Sequence, residues 1–289
     1  MTAVLLAVLS AALFGLMSVA VRIGLGSGAG VEVGSLVTAL TALVVTVAVA
    51  AASVAAGGDL RPGELWPFLL AGVLAPGLSQ LFFFRAVRDA GASRTSVIVG
   101  VAPLVAVAIA LVALHEPARP SLLVAALAIV SGSVALGLEP ERPVGFKRMG
   151  VVFALLTTLM FATRDDLLRW LATDTKVAPL PAAAVAMAGG AATLTAFLLA
   201  RGRVSVPTLR TGARAFLLPG VLFGASYAFL FEAYFRGRVT VVSPLVATES
   251  LVGVLFAVLL LRRSELVGRH VVLGAVLIVA GAALIGATR

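Results

Sequence analysis

The chain has 289 residues, of which 61% are hydrophobic and 12% are charged, and its formal net charge is +9. Since a soluble domain carries about 25% charged residues, this composition excludes a water-soluble globular protein. The absence of cysteine excludes disulfides, zinc-thiolate sites and thiol catalysis.

Ten apolar segments are each long enough to cross a bilayer, which takes about 20 residues. In chain order they are about 2–22, 33–56, 66–86, 94–114, 120–138, 149–171, 178–200, 214–235, 239–261 and 268–287. Backbone in lipid must satisfy its own hydrogen bonds, and the alternation typical of barrel strands is absent, so each segment is predicted to be a helix. The first segment has no cationic start, which favours a retained span over a signal peptide.

The basic residues stand in short clusters between these segments, a pattern typical of lipid head-group contacts and not of nucleic-acid binding. We therefore expect the lipid bilayer as a partner and no nucleic acid.

The second half of the chain repeats the first at an offset of 147 to 149 residues. Phe68–Leu74 recurs as Phe216–Leu222 with six of seven positions identical. Other matched positions are Phe14 and Phe161, Arg22 and Arg169, Glu116 and Glu265, and Gly132 and Gly281. Each repeat holds five predicted helices, and because five is odd, the second repeat starts from the opposite face. We predict a first repeat over 1–138, a linker over 139–148 and an inverted second repeat over 149–289, a common plan of secondary transporters.

Each repeat ends in a helix, a short turn with a glutamate, and a glycine-bearing helix. The first copy runs from Ala102-Pro103-Leu104 through His115-Glu116-Pro117 to Ser131-Gly132, and the second from Glu249-Ser250-Leu251 through Ser264-Glu265-Leu266 to Ala280-Gly281. With this ending, ten helices and two repeats, the chain resembles the EamA-type transporters of the drug/metabolite transporter superfamily over essentially its whole length.

The resemblance implies an all-α integral membrane protein with ten transmembrane helices, arranged as two inverted five-helix repeats around a central cavity. It also implies that the first, third, fourth, sixth, eighth and ninth spans line that cavity. Both termini would lie in the cytoplasm, whereas the count of Lys and Arg in the connections favours the opposite orientation. The membrane orientation therefore stays open.

The sixth span holds three adjacent charges, Arg164, Asp165 and Asp166, after 15 uncharged residues. A charge in hydrocarbon costs on the order of 3 kcal/mol, so such residues usually face a bundle interior or a wet cavity. We predict that at least one of them lines the substrate path. Two alternatives are that the span ends early, at the interface, or that Asp165 simply pairs with Arg169 on the same helix face. Ser18 aligns with Asp165 and is a further candidate lining residue.

Glu249 is the only charged residue between Val239 and Leu261, and it lies near the middle of the ninth span. A carboxyl group at that depth can carry a proton, bind a substrate amine or pair with an arginine. The alternative is a neutral, hydrogen-bonded glutamate that only fixes helix packing. We predict Glu249 and Asp165 as the proton-coupling residues.

Glu232 and Arg85 occupy nearly matching positions in the eighth and third spans. We predict an ion pair between them that forms in one access state, the alternative being that both lie at the interface. Tyr227 is predicted to hydrogen-bond in the cavity, and Tyr234, nearer a helix end, to join the interfacial aromatic belt. The predicted substrate-binding residues are Arg164, Asp165, Glu249, Glu232, Arg85, Tyr227 and Ser18.

Prolines in the lining spans predict local breaks, and Pro103 and Pro244 are the ones expected to bend their helices. No HExxH, GxSxG or P-loop pattern occurs, and His115 and His270 have no cluster of partners. We therefore predict no catalytic residue, no metal site and no cofactor, and we do not expect an enzyme.

These features predict a secondary transporter of the plasma membrane that works by alternating access. Its substrate would be a small polar metabolite, such as an amino acid or related compound, or an amphiphilic drug, with export favoured over uptake by the resemblance. The cycle would use protons if it is ion-coupled. One chain is sufficient to enclose the cavity, and a dimer is left open. The alternative is a membrane-embedded lipid-processing enzyme or lipid-handling scaffold, with the arginines of 201–214 as its phosphate contacts.

Overall fold

The computed structural model describes residues 2–28, 30–90, 95, 98–117, 119–136, 147–202, 206–261 and 269–288. All regular elements in this part of the chain are helical. They are α1 (Thr2–Gly26), α2 (Val31–Ala55), α3 (Trp66–Gly72), α4 (Ser79–Ala90), α5 (Ala102–Ala113), α6 (Pro120–Leu136), α7 (Arg148–Asp174), α8 (Pro179–Ala200), α9 (Val206–Arg236), α10 (Val239–Val246), α11 (Glu249–Leu261) and α12 (Arg269–Thr288). A short 3₁₀ turn, Pro62–Glu64, precedes α3.

Two of the predicted spans are built from two helices each. Helices α3 and α4, joined by the wide helical turn Val73–Leu78, form the third span, and α10 and α11 form the ninth. Five helical stretches are long and apolar enough to cross a membrane by themselves: Thr2–Gly26, Val31–Ala55, Trp66–Ala90, Pro179–Ala200 and Gly212–Arg236. With the shorter apolar helices between them, they confirm the predicted all-α, multi-pass membrane fold.

Helix ends follow the local chemistry of the sequence. Pro179 lies in the first turn of α8, where the amide hydrogen that proline lacks would have no partner in the helix. Gly57 follows α2 with φ of +94°, in the left-handed region that glycine adopts without strain. This conformation turns the amides of Gly57 and Gly58 back to the carbonyl oxygens of Val54 and Ser53, which are otherwise unpaired at the end of a helix.

Helices of one half pack against helices of the other half in matched pairs. In the two repeats, α1 corresponds to α7, α2 to α8, and α3 with α4 to α9. The contact of α1 with α9 therefore corresponds to that of α7 with α4, and the contact of α2 with α9 to that of α8 with α3. Helix α1 also contacts α10 and α11, as α5 contacts α7, whereas α6 and α12 pack on each other. A pseudo-two-fold axis between two inverted repeats requires this exchange of partners.

Glycines allow the closest of these approaches, and they too come in matched pairs. A Cβ atom on Gly132 would lie 2.8 Å from Ile278 Cγ1, and one on Gly281 would lie 2.6 Å from Ile129 Cγ1. Both the glycines and the isoleucines are 149 residues apart in sequence, so one contact is the symmetry copy of the other. Small residues at the crossing point let helix backbones pack closely in lipid.

The prolines act differently from the prediction. Pro103 lies in the first turn of α5 and begins that helix without bending it. Pro244 lies inside α10, which ends two residues later at Val246. The sharpest irregularity is Ala75, with φ of −146° and ψ of 117° inside the third span. A residue before proline avoids the helical conformation because of the proline ring, and Pro76 follows Ala75 directly.

Some predicted helix bounds shift. Helix α9 begins at Val206, before the predicted start of the eighth span at 214. Helix α7 is continuous from Arg148 to Asp174, and its three adjacent charges are buried, which favours a place inside the bundle over the alternative in which the span ends at its charge cluster. The predicted linker lies almost wholly outside the described residues.

Candidate functional site

A central cavity lies where five spans from the two halves meet. Its lining residues are Ser10 and Phe14 of α1, Val99, Gly100, Ala102 and Pro103 at the start of the fourth span, Phe161, Arg164 and Asp165 of α7, Phe223, Ser226, Tyr227 and Leu230 of α9, and Ser243, Val246, Ala247 and Glu249 at the α10–α11 break. The space open to the centres of water molecules is about 30 Å³. A buried water needs roughly 10–15 Å³, so this contracted conformation has room for two or three waters and not for a metabolite.

Arg164 and Asp165 form a buried ion pair in the cavity wall. Arg164 Nη2 donates to Asp165 Oδ1 at 2.7 Å and Nε donates to the same oxygen at 3.0 Å. The hydroxyl of Ser243 donates to Asp165 Oδ2 at 3.2 Å, which ties the pair to α10. Both charged side chains are about 5% exposed. Removal of either partner would destabilise the protein, because the other charge would be left buried and uncompensated.

Arg169 does not pair with Asp165, so that alternative is wrong for this conformation. Instead Arg169 Nη1 donates to the carbonyl oxygen of Tyr234 at 3.1 Å. Tyr234 is wholly buried, which contradicts its predicted place in the interfacial belt. Tyr234 lies two residues before the end of α9 at Arg236, so nearness to a helix end did not predict exposure.

Tyr227 joins the cavity to the break in the third span. Its hydroxyl donates to the carbonyl oxygen of Ala75 at 2.7 Å, and the side chain is 1% exposed. This carbonyl is free to accept because Ala75 is not helical. The predicted hydrogen bond of Tyr227 therefore exists, but its partner is backbone. Apart from this link, the third span contributes no described residue to the cavity lining.

Glu249 is the first residue of α11, directly after the break that follows α10. It lines the cavity together with Arg164 and Asp165, both of which act on it electrostatically. Gly15 of α1 lies against its backbone, since a Cβ atom there would stand 2.6 Å from the Glu249 carbonyl oxygen. The glycine thus lets α1 press on the residue that carries the carboxyl group. A helix N-terminus also favours a negative charge at this position.

Aromatic rings form the apolar side of the cavity. The ring centroid of Phe14 lies 6.1 Å from that of Phe161 and 6.0 Å from that of Phe223. The guanidinium carbon of Arg164 lies 4.8 Å from the centroid of Phe161 and 6.0 Å from that of Tyr227, within the range of a cation–π contact. Phe14 and Phe161 are matched positions of the two repeats, and the fold brings them into contact.

Arg85 and Glu232 do not meet in this conformation, so an ion pair between them stays a prediction for another access state. Arg85 Nη2 pairs with Glu32 Oε1 of α2 at 3.4 Å, and its guanidinium lies between the rings of Phe153 and Phe197. Glu232 pairs with Arg236 one turn later on α9. Neither Arg85 nor Glu232 lines the cavity.

Ser18 also lies outside the cavity lining, because its hydroxyl donates to the Gly15 carbonyl of its own helix at 2.7 Å. The serines that do line it are Ser10, Ser226 and Ser243, none of which was predicted from the sequence. Ser226 Oγ donates to the Ser10 carbonyl at 2.9 Å and Ser10 Oγ to the Ser226 carbonyl at 3.0 Å. Ser10 and Ser226 are each a small polar residue in an apolar run. That pattern is only a weak indication of a cavity-lining residue.

A second, polar cavity lies at one end of the bundle, beside the turn between α5 and α6. It has about 360 Å³ open to the centres of water molecules, and its lining includes His115, Glu116, Arg169, Trp170, Thr173 and Arg238. We call it the end cavity. Glu116 accepts the backbone amides of Val239 at 2.9 Å and Thr240 at 3.0 Å, so it caps α10. This contact gives the glutamate in the turn of the first repeat a structural role. Its counterpart in the second repeat, Glu265, lies outside the described residues.

The comparisons with known proteins agree with this architecture. The model of the EamA-like transporter family matches the chain twice, over residues 1–138 and 148–287. No curated protein matches. A solved structure titled only "Crystal structure of protein" is similar over 99% of this chain and 96% of its own, with a TM-score of 0.77 at 20% identity, a likeness that shows the fold alone. Because its two halves both match the family model, the chain belongs to the EamA-like transporter family.

Proposed function

We propose that the protein is a secondary transporter of the plasma membrane that moves a small, amine-bearing molecule through the central cavity by alternating access. The substrate would be an amino acid or related metabolite, or an amphiphilic drug. The observation that carries the proposal is the buried group of Arg164, Asp165 and Glu249 at the meeting of five spans. Membership of a transporter family supports transport in place of catalysis.

The charges of the cavity favour a cationic group on the substrate. Arg164 is already neutralised by Asp165 at 2.7 Å. Among the described residues, no hydrogen bond or ion pair engages the Glu249 carboxyl group, on which Arg164 and Asp165 act only through their charges. The free member of the group is therefore an acid, which an amine or a proton can neutralise. The rings of Phe14, Phe161 and Phe223 offer the apolar surface that the rest of such a substrate needs.

Alternating access follows from the way the two halves share the cavity. Helices of both repeats line the cavity, and the conformation described has no room for a metabolite. A substrate must therefore enter by relative movement of the repeats. The break after Val246 places Glu249 on the cavity surface, where it would meet a substrate when the repeats separate. We place export before uptake because the EamA resemblance favours it.

In this proposal Glu249 exchanges a proton for the substrate amine. Asp165 takes part in coupling only in a state in which it has left Arg164 and Ser243, because both of its oxygens are engaged here. Arg85, Glu232 and Ser18, also predicted to bind substrate, would act only in a conformation that turns them to the cavity.

The test is accumulation of a pooled metabolite and drug library in proteoliposomes, with and without an imposed pH gradient. Wild type is compared with Glu249→Gln and with Glu64→Gln, which alters an exposed carboxylate of a connecting turn. We expect amine-bearing compounds to accumulate in wild type and in Glu64→Gln, and to be lost in Glu249→Gln. Accumulation of nothing, together with an altered lipid composition of the vesicles, would overturn the proposal in favour of a lipid-processing enzyme.

A further inference from the structure

Asp166 is a buried carboxylate that the central cavity does not use. It is 5% exposed, and neither Oδ1 nor Oδ2 has a hydrogen-bond partner among the described residues. Its neighbour Asp165 differs in both respects, since it lines the cavity and is paired with Arg164. Two adjacent carboxylates of one helix thus stand in opposite environments.

Asp166 lies on the face of α7 that leads to the end cavity. Arg169, Trp170 and Thr173 follow it by three, four and seven residues, the spacing of one helix face, and all three line that cavity. Asp165 is rotated about 100° from Asp166 around the helix axis. It lies on the same helix face as Phe161, and both line the central cavity. Asp166 therefore lies between the residues of α7 that line the central cavity and those that line the end cavity.

The charged groups around Asp166 are already committed elsewhere. On α7, Arg164 is bound by Asp165, and Arg169 donates to Tyr234. Glu116 is engaged by the amides that begin α10. The other charged or titratable groups lie on or beside four elements packed against α7. They are the exposed His115 after α5 and Arg238 before α10, then Arg210, Arg214, Tyr227, Glu232, Tyr234 and Arg236 of α9, and Arg85, Arg88 and Asp89 of α4.

The surroundings of Asp166 disfavour a negative charge on its carboxyl group. The charges that act on its carboxyl group are those of Asp165 and Glu116, both negative. A carboxylate that is buried without a hydrogen bond and beside like charges is stable only when a proton or a cation neutralises it. The end cavity offers that neutralising partner a route from water.

We propose that Asp166 is a proton-binding site between the end cavity and the central cavity, and that its proton, together with the proton that Glu249 exchanges for the substrate, couples transport to a pH gradient. The step is a protonation: a carboxylate oxygen of Asp166 takes a proton from water in the end cavity and releases it when the repeats rearrange. The coupling role rests on the proposed function, whereas the proton site itself does not. Asp166 would thus act beside Glu249, which meets the substrate.

The proton site is tested directly, on purified full-length protein in lipid nanodiscs. The measurement is the infrared carbonyl stretch of protonated carboxyl groups, recorded as a difference between acid and alkaline pH. We compare wild type with Asp166→Asn and with Asp174→Asn, which changes an exposed carboxylate near the end of the same helix. We expect one component of the band to vanish in Asp166→Asn only. An unchanged band in Asp166→Asn would overturn the proposal.

The coupling role is tested in proteoliposomes with the compounds that wild type accumulates. In Asp166→Asn we expect exchange at equal pH to persist and gradient-driven accumulation to fall to the level seen without a gradient. Asp166→Glu retains the carboxyl group and should restore accumulation, which separates coupling from folding. Accumulation in wild type that follows a sodium gradient and ignores pH would overturn the inference. Accumulation of nothing by wild type would refute the proposed function, while the infrared result would still decide the proton site.

Discussion

Removal of the Glu116 carboxylate should loosen the contact between the two repeats. The residue belongs to the turn before α6, and its two oxygens accept the amides of Val239 and Thr240 at 2.9 and 3.0 Å. Loss of a side-chain cap costs about 1 kcal/mol, and loss of a negative charge at a helix N-terminus costs about 0.3–1 kcal/mol more. We therefore expect Glu116→Ala to lower the free energy of unfolding by about 1–2 kcal/mol.

The assay is thermal unfolding of the purified protein in detergent. At roughly 2–4 °C per kcal/mol for larger domains, Glu116→Ala should lower Tm by about 2–8 °C, and Glu116→Gln, which keeps one acceptor oxygen, by less. The matched control is Glu64→Ala, because Glu64 also accepts a backbone amide, that of Lys176 at 3.1 Å, but on an exposed turn. If the two alanine variants lower Tm equally, the contact between Glu116 and α10 stabilises the protein no more than the exposed contact of Glu64, and the reasoning is refuted.

Two further substitutions probe the cavity wall. Tyr227→Phe leaves the buried carbonyl of Ala75 unpaired, so it should destabilise by about 1–3 kcal/mol, read as a fall in Tm; an unchanged Tm would mean that water or a rearranged backbone replaces the hydroxyl. Gly15→Ala sets a methyl group 2.6 Å from the Glu249 carbonyl oxygen and should cost about 1–3 kcal/mol by overpacking. It should also slow transport of the accumulated compounds, whereas Gly63→Ala, with open space around its Cβ position, should do neither.

Much of the architecture could be predicted from the sequence because it depends on local chemistry. Apolar length specifies the spans, and proline and glycine mark where helices begin and end. The repeat predicts inverted halves, since each half carries the same pattern at an offset near 148. Arg164, Asp165 and Glu249 were also predictable as a buried group, because a charge inside a long apolar run has few other places to lie.

The partner of each polar side chain could not be predicted in the same way. Arg85 pairs with Glu32 and not with Glu232, and Asp165 pairs with Arg164 and not with Arg169. Ser10 lines the cavity where Ser18 does not. One residue of helix turns a side chain by about 100°, so a small error in the rotation of a span changes every partner on it.

Sequence alone therefore determined that this chain forms ten helical spans in two inverted repeats, with charges inside otherwise apolar spans. Only the tertiary structure decided that Asp165 is paired while Asp166 is not, and that Glu116 caps a helix of the other repeat. The physical reason is that helix formation in lipid is satisfied within each segment, whereas pairing between side chains depends on how the two repeats pack together.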